Sequence, residues 1–303
     1  MISTPHRGES GALTIRRTEN GKLTFAGAEF FTGTKAELLD VIEDLLKQDK
    51  PKLIMTPNVN QILDVADNQE LRNVFQNCAL RIVDGVPLVW LARALGLKNI
   101  HRNTGADLLP YCADKGRALG WRIAIAGGLP EHTKMAADTI RTQYPGAEVS
   151  AISVPELSSF SQGATDVVQS LTMYRPQLVF MCLGSPKQEL WFSHWREDLP
   201  AAVYVGAGAA VDFAAGVKKR APLRLQSAGL EWLWRLSQEP RRLFRRYMVR
   251  GPSFIPLAFK SIFEHHVYLA TPFDDSCRGS ILKVATTSCK RKFGKTNLQW
   301  RQK

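Results

Sequence analysis

Between residues 52 and 205, short apolar runs of strand length alternate with amphipathic segments of helix length, and no other feature constrains the fold as much. The apolar runs are 52–56, 80–84, 121–126, 147–152, 177–183 and 202–205. Helical periodicity falls near 58–76, 87–95, 106–119, 131–143, 163–173 and 187–195. A strand, a helix and a further strand in sequence form a right-handed crossover, so the pattern predicts an α/β chain. The expected core is a Rossmann-like, mostly parallel sheet with helices on both faces, spanning 21–217. Ahead of it, Leu38, Leu39, Ile42, Leu45 and Leu46 mark a helix over 35–47, and 23–30 reads as a short strand or hairpin. Residues 1–20 are polar and aperiodic, which predicts a flexible N-terminal arm.

Three of the runs stop abruptly at polar, small or proline residues. One enters Thr56, Pro57 and Asn58, a second Asp84, Gly85, Val86 and Pro87, and a third Gly184, Ser185, Pro186, Lys187, Gln188 and Glu189. Ligands of open parallel sheets bind outside the carboxyl ends of the strands, so these clusters are expected to converge on one crevice. Asp84 there suits a general base, while Asp-Gly is also a favoured turn pair. Asn58 reads as a helix N-cap or as a ligand contact. Thr56, held extended by the following proline, can point its hydroxyl at a bound polar group. Ser185 and Pro186 make an ordinary helix opening, with proline at the first helical position. The same opening aims backbone N–H groups, Lys187 and Gln188 at an anion in the crevice. Arg102, in the polar loop 101–107, is either solvated or placed to grip a diphosphate with its bidentate fork. Neither Gly127-Gly128 nor 206–211 has the G-x-G-x-x-G spacing of a dinucleotide site.

The net charge of +12 is unevenly placed. Residues 218–264 hold 11 Lys/Arg against 3 Asp/Glu, residues 271–303 hold 8 against 2, and 1–217 is close to neutral. Such a skew points to a polyanionic partner: nucleic acid, an anionic membrane surface or the phosphates of a substrate. Residues 221–263 read as two or three helices broken at Pro240 and at Gly251-Pro252, with Trp232, Trp234, Phe244 and Tyr247 among Arg235, Arg242 and Arg245. One reading is a helix packed on the core with a solvated basic face. The favoured one is a segment lying on anionic headgroups, followed by apolar residues 254–259. Residues 218–265 are therefore expected to form a membrane-contacting appendage, and 266–303 a disordered basic tail.

No run approaches 18 apolar residues and the start lacks a signal-peptide core, so a cytosolic protein is expected. The five cysteines include no C-x-x-C pair, and the six histidines include no H-x-x-x-H pair. Neither a disulfide framework, a metal nor a cofactor is expected.

Taken together, Thr56-Pro57-Asn58, Asp84-Gly85, Arg102 with 105–107, 184–189, 206 with 212–216, 219–222, and 229–236 with Pro240 resemble the WecG/TagA/CpsF family of bacterial glycosyltransferases, glycosyltransferase family 26. The resemblance runs over roughly 23–263, in order. It implies a metal-independent, inverting transfer of a hexose unit from a UDP-sugar to a polyprenyl-diphosphate-linked sugar, on the inner face of the cytoplasmic membrane. By the same likeness, Asp84 is the base, and Thr56 and Gln188 contact substrate. Arg102, Arg235, Arg242 and Arg245 meet phosphate charge. A nucleic-acid or anionic-surface binding protein without transferase activity is the alternative. Nucleic acid is not an expected partner of the transferase, and a homo-oligomer is left open.

Overall fold

A computed structural model describes residues 13–154 and 165–270. It opens with a small antiparallel sheet of β1 (Arg16–Arg17), β2 (Leu23–Phe25) and β3 (Ala28–Glu29). The helix α1 (Lys35–Leu46) follows, started by a Thr34–Glu37 capping box. The main alternation begins with β4 (Lys52–Met55), α2 (Val59–Asp67), α3 (Gln69–Asn77), β5 (Leu80–Arg81), α4 (Val86–Ala94) and α5 (Gly105–Leu119). It continues with β6 (Arg122–Ala126), α6 (Pro130–Gln143), β7 (Glu148–Ile152), α7 (Thr165–Tyr174), β8 (Leu178–Met181), α8 (Lys187–Trp195), β9 (Val203–Gly206) and α9 (Ala210–Ala214). The C-terminal part holds α10 (Leu223–Ser227), α11 (Glu231–Gln238) and α12 (Pro240–Phe244). A π-helical turn (Arg245–Arg250), a 3-10 turn (Gly251–Ser253) and α13 (Phe254–Ala270) complete it.

Six strands pair in parallel in the order β5-β4-β9-β8-β6-β7. Side chains alternate across each strand, and this divides the core into two layers. Leu53, Met55, Val179, Met181 and Tyr204 pack against α2, α3, α4 and α8. Ile54, Leu178, Phe180, Val203 and Val205 pack against α1, α5, α6 and α9. Both faces are therefore covered, which an all-parallel sheet requires. The fold class is the one the strand–helix alternation predicts.

Several local features differ from the expectation. Residues 13–20 are not part of a loose arm: Ile15 is 1% exposed, and its N–H donates to Ser261 Oγ at 3.0 Å. Arg16 and Thr14 both reach Glu264. The segment is ordered by a helix that follows it 246 residues later, an influence local periodicity does not carry. The single helix expected near 58–76 is two, because Asn68 leaves the helical region and its side chain caps Leu71 N–H at 3.0 Å. Helix α8 begins at Lys187, not at Pro186, which occupies the N-cap position after a cis Ser185–Pro186 bond. Helix α13 carries the chain to Ala270, so 266–270 are helical, not part of a tail. Residues 1–12 and 271–303, where the remainder of the arm and tail were expected, lie outside the described residues.

The C-terminal helices pack back on the core. Leu243 and Phe254 are buried, Arg220 pairs with Asp107, and Arg250 reaches both Asp64 and Asp67. Among the described residues no helix is long and apolar enough to cross a membrane.

Candidate active site

The carboxyl ends of the strands and the C-terminal helices enclose a cleft of about 240 Å³. Thr56 beyond β4, Asp84 beyond β5, Gly184 and Ser185 beyond β8, and residues 207–211 beyond β9 form the sheet side. Lys218, Arg235, Glu239, Arg242, Arg246 and Tyr247 form the opposite side. The three strand-end clusters thus meet in one crevice, and the basic helices roof it.

Asp84 is fixed by its backbone, whose N–H donates to the Pro57 carbonyl at 3.1 Å and so ties the ends of β5 and β4 together. Its carboxylate stays 27% exposed and lies 4.0 Å from Arg102 Nε. Burial pushes the carboxyl up to about 6, while Arg102 and Arg235 pull it back down. The group is thus a stronger base than a solvated carboxylate and is still ionised at neutral pH.

Glu231, at the start of α11, joins core to appendage. One of its oxygens accepts from Arg102 Nη2 at 2.6 Å and the other from Arg235 Nη2 at 2.8 Å. Burial alone would raise this carboxyl, but Arg235 and Arg102 more than cancel it and hold it below the ordinary value. Arg235 also stacks on Phe213, 4.9 Å from the ring centre, which fixes the plane of its guanidinium.

A buried network shapes the opposite end. Gln188 accepts from Gly208 N–H at 3.3 Å and donates to Glu189 Oε1 at 2.8 Å, while Gln61 donates to the same oxygen at 3.0 Å. Glu189 is 0% exposed, and burial pushes its carboxyl to about 7 against the hydrogen bond from Gln188. Glycine at 206 leaves room for the Gln188 amide, since a Cβ there would lie 2.7 Å from Gln188 Nε2 and would displace it. Thr56 Oγ1 donates to the Gly206 carbonyl at 2.7 Å, leaving its lone pairs as the part that a ligand donor can use.

Farther along, Asp212 accepts from Lys218 and lies 3.1 Å from His132 Nδ1, and Lys218 also reaches Glu239 at 3.2 Å. Glu239 in turn holds Arg242 through two bonds of 2.8 and 2.6 Å.

Thr56, Asn58, Asp84, Gln188, Arg235 and Arg242 all line the cleft. Arg102 joins them through Asp84 and Glu231. Asn58 caps α2 in a reciprocal box with Gln61 and also lines the cleft. Lys187 and Arg245 are exposed and are not among the lining residues. Gln61, Glu189, Lys218, Glu231 and Arg246 are the residues sequence reasoning passed over. Gln61 stands at capping-box spacing from Asn58, and Arg246 follows Arg242 by four residues, one helical turn. Those spacings were the available signals.

Of the basic residues behind the alternative of a nucleic-acid or anionic-surface binding protein, Lys218, Arg220, Arg235, Arg242 and Arg250 engage carboxylates, while Lys219, Arg224, Arg241 and Arg245 are exposed. Residues 23–267 match the model of a family described as glycosyl transferase WecG/TagA/CpsF.

Proposed function

The chain belongs to the WecG/TagA/CpsF glycosyl transferase family, and on that premise we propose that it moves a hexose unit from a UDP-sugar to a polyprenyl-diphosphate-linked sugar, inverting the anomeric centre without a metal. The observation that carries this reading is the Asp84 carboxylate, facing the cleft beside Arg102 and Arg235. The acceptor hydroxyl oxygen attacks the anomeric carbon as the bond from that carbon to the β-phosphate oxygen breaks. Asp84 takes the hydroxyl proton, and UDP leaves with the bonding electrons. Arg235 and Arg242 offset the charge that grows on the diphosphate, where removing one pre-placed donor typically costs about 2.7–4 kcal/mol of barrier. Thr56 and Asn58 supply polar contacts on the sheet side.

The reading also places the protein on the inner face of the cytoplasmic membrane, in surface polysaccharide assembly. Ile255, Phe259 and Phe263 recur at four-residue spacing on α13 and are 54%, 69% and 56% exposed. Val249 and Phe244 extend the same kind of surface at 62% and 57%. Apolar side chains of this size beside Arg241, Arg245 and Lys260 suit an interface with acyl chains beneath anionic headgroups.

The test is transfer from a panel of UDP-sugars to a polyprenyl-diphosphate-sugar acceptor, with and without EDTA. We expect turnover with one donor, insensitive to the chelator, and lost in Asp84→Asn while UDP-sugar binding persists. Unchanged turnover in that variant would remove Asp84 from the mechanism.

A further inference from the structure

Four cationic side chains line the cleft, and three of them are already neutralised by carboxylates. Lys218 pairs with Asp212 and Glu239, Arg235 with Glu231, and Arg242 with Glu239. Arg246 differs, since its side-chain partners are carboxamides. Its Nη2 donates to Asn58 Oδ1 at 3.4 Å. The Asn60 carboxamide, turned to satisfy both groups, accepts from Arg246 Nε at 2.9 Å and donates to the Arg246 carbonyl at 3.3 Å. Asn60 is itself only 7% exposed, so the clamp is built into the start of α2.

The arrangement fixes the guanidinium through amides and not through a carboxylate contact, and Asp64 offsets its charge only in part. Of its five N–H groups, one on Nε and one on Nη2 are spent on amides, leaving three, two of them on Nη1, directed by a planar fork. Such a fork matches two oxygens of a phosphoryl group. Burial is the largest cause disfavouring the cation; Tyr247 and Asp64 work against it, Arg235 and Arg242 add to it, and the net direction is down. A bound anion relieves that penalty. Within the π-helical turn Arg245–Arg250, Arg246 lines the cleft and Arg245 does not.

We infer that Arg246 is a diphosphate-binding residue of this cleft, its guanidinium gripping a phosphoryl group of the nucleotide donor or of the lipid-linked acceptor. The inference rests on the proposed transfer reaction for the identity of the anion, though not for the presence of an anion site.

Calorimetric titration of the full-length protein with inorganic pyrophosphate, UDP and a short, water-soluble polyprenyl diphosphate tests it. The variants are Arg246→Ala, Arg246→Lys and, as a control on α4, the exposed Arg93→Ala. In Arg246→Ala the dissociation constant for at least one of the three is expected to rise about 10- to 100-fold, the range of a lost charge-assisted pair. Arg246→Lys keeps the charge, loses the fork and should fall between. Loss confined to UDP assigns the residue to the donor, loss confined to the polyprenyl diphosphate assigns it to the acceptor, and either supports the inference. Equal affinities in wild type and both variants overturn it, as does a wild type that binds none of the three. If Arg246→Ala does not fold, judged by its thermal transition, Arg246→Lys decides alone. Diphosphate binding that depends on Arg246 in a protein showing no sugar transfer would sink the transferase reading while leaving this site standing.

Discussion

Asp84 gains its basicity at the expense of the fold. Its carboxyl stands at about 6 against an ordinary 3.8, chiefly because it is buried. A carboxyl raised in the folded state favours that state when protonated, so the penalty is absent below about pH 4 and complete above about pH 6. Asp84→Asn should therefore unfold at a higher temperature than wild type at pH 8, with up to roughly 3 kcal/mol gained, and match it at pH 4. Thermal melts of both proteins across that range check this, and a variant less stable at pH 8 would contradict it. The same value places the acidic limb of kcat/KM near pH 6, to be read from the pH–rate profile. At this scale Asp84 and Thr56 were visible in the sequence because each closes an apolar run, and Gln188 because it opens the helix that follows one. Glu231, Glu189 and Arg246 were not, since their significance lies in what they touch. Glu231 reads as an ordinary first-turn acid until Arg102, 129 residues earlier, is seen bonded to it.

Among the elements, α11 has the most demanding entry. Gly229 ends the preceding turn at φ 72°, a left-handed conformation that side chains disfavour, and a Cβ there would lie 2.9 Å from both Trp90 and Val86 of α4. Gly229→Ala should lose roughly 1–2 kcal/mol from the backbone alone, with the clash adding to it. It should also lower kcat, because α11 carries Arg235; denaturant unfolding and steady-state rates measure the two effects. All six strands of the parallel sheet were legible as short, largely apolar runs bounded by polar or glycine residues, although the edge strands carry Arg81, Glu148 and Ser150. The break at Asn68 was not, because the apolar periodicity of α2 and α3 runs through it and the capping side chain only shows in three dimensions. Of the small sheet at the start, the hairpin within 23–30 was legible and β1 was not: β1 is two arginines, and what places them is Glu264 and Ser261 on α13.

For the molecule as a whole, the uneven charge was legible at once, but its direction was not. The basic helices turn much of their charge inward to the cleft and expose apolar side chains. Replacing Phe259 and Phe263 with Asp should abolish sedimentation with vesicles rich in anionic lipid while leaving the thermal transition in place, as both are largely exposed. Retained vesicle binding would move the lipid contact elsewhere. The position of β4 inside the sheet, between β5 and β9, has a further consequence. One of its neighbours is β9, and the Thr56–Gly206 bond that closes the cleft joins residues 150 apart. At about 5–20 residues per second on the ribosome, that edge of β4 waits about 8–30 s for its partner to be made. A nascent chain must thus keep an apolar strand edge from straying to other chains throughout that interval, and it possesses no closed cleft until nearly all of the sheet has been synthesised.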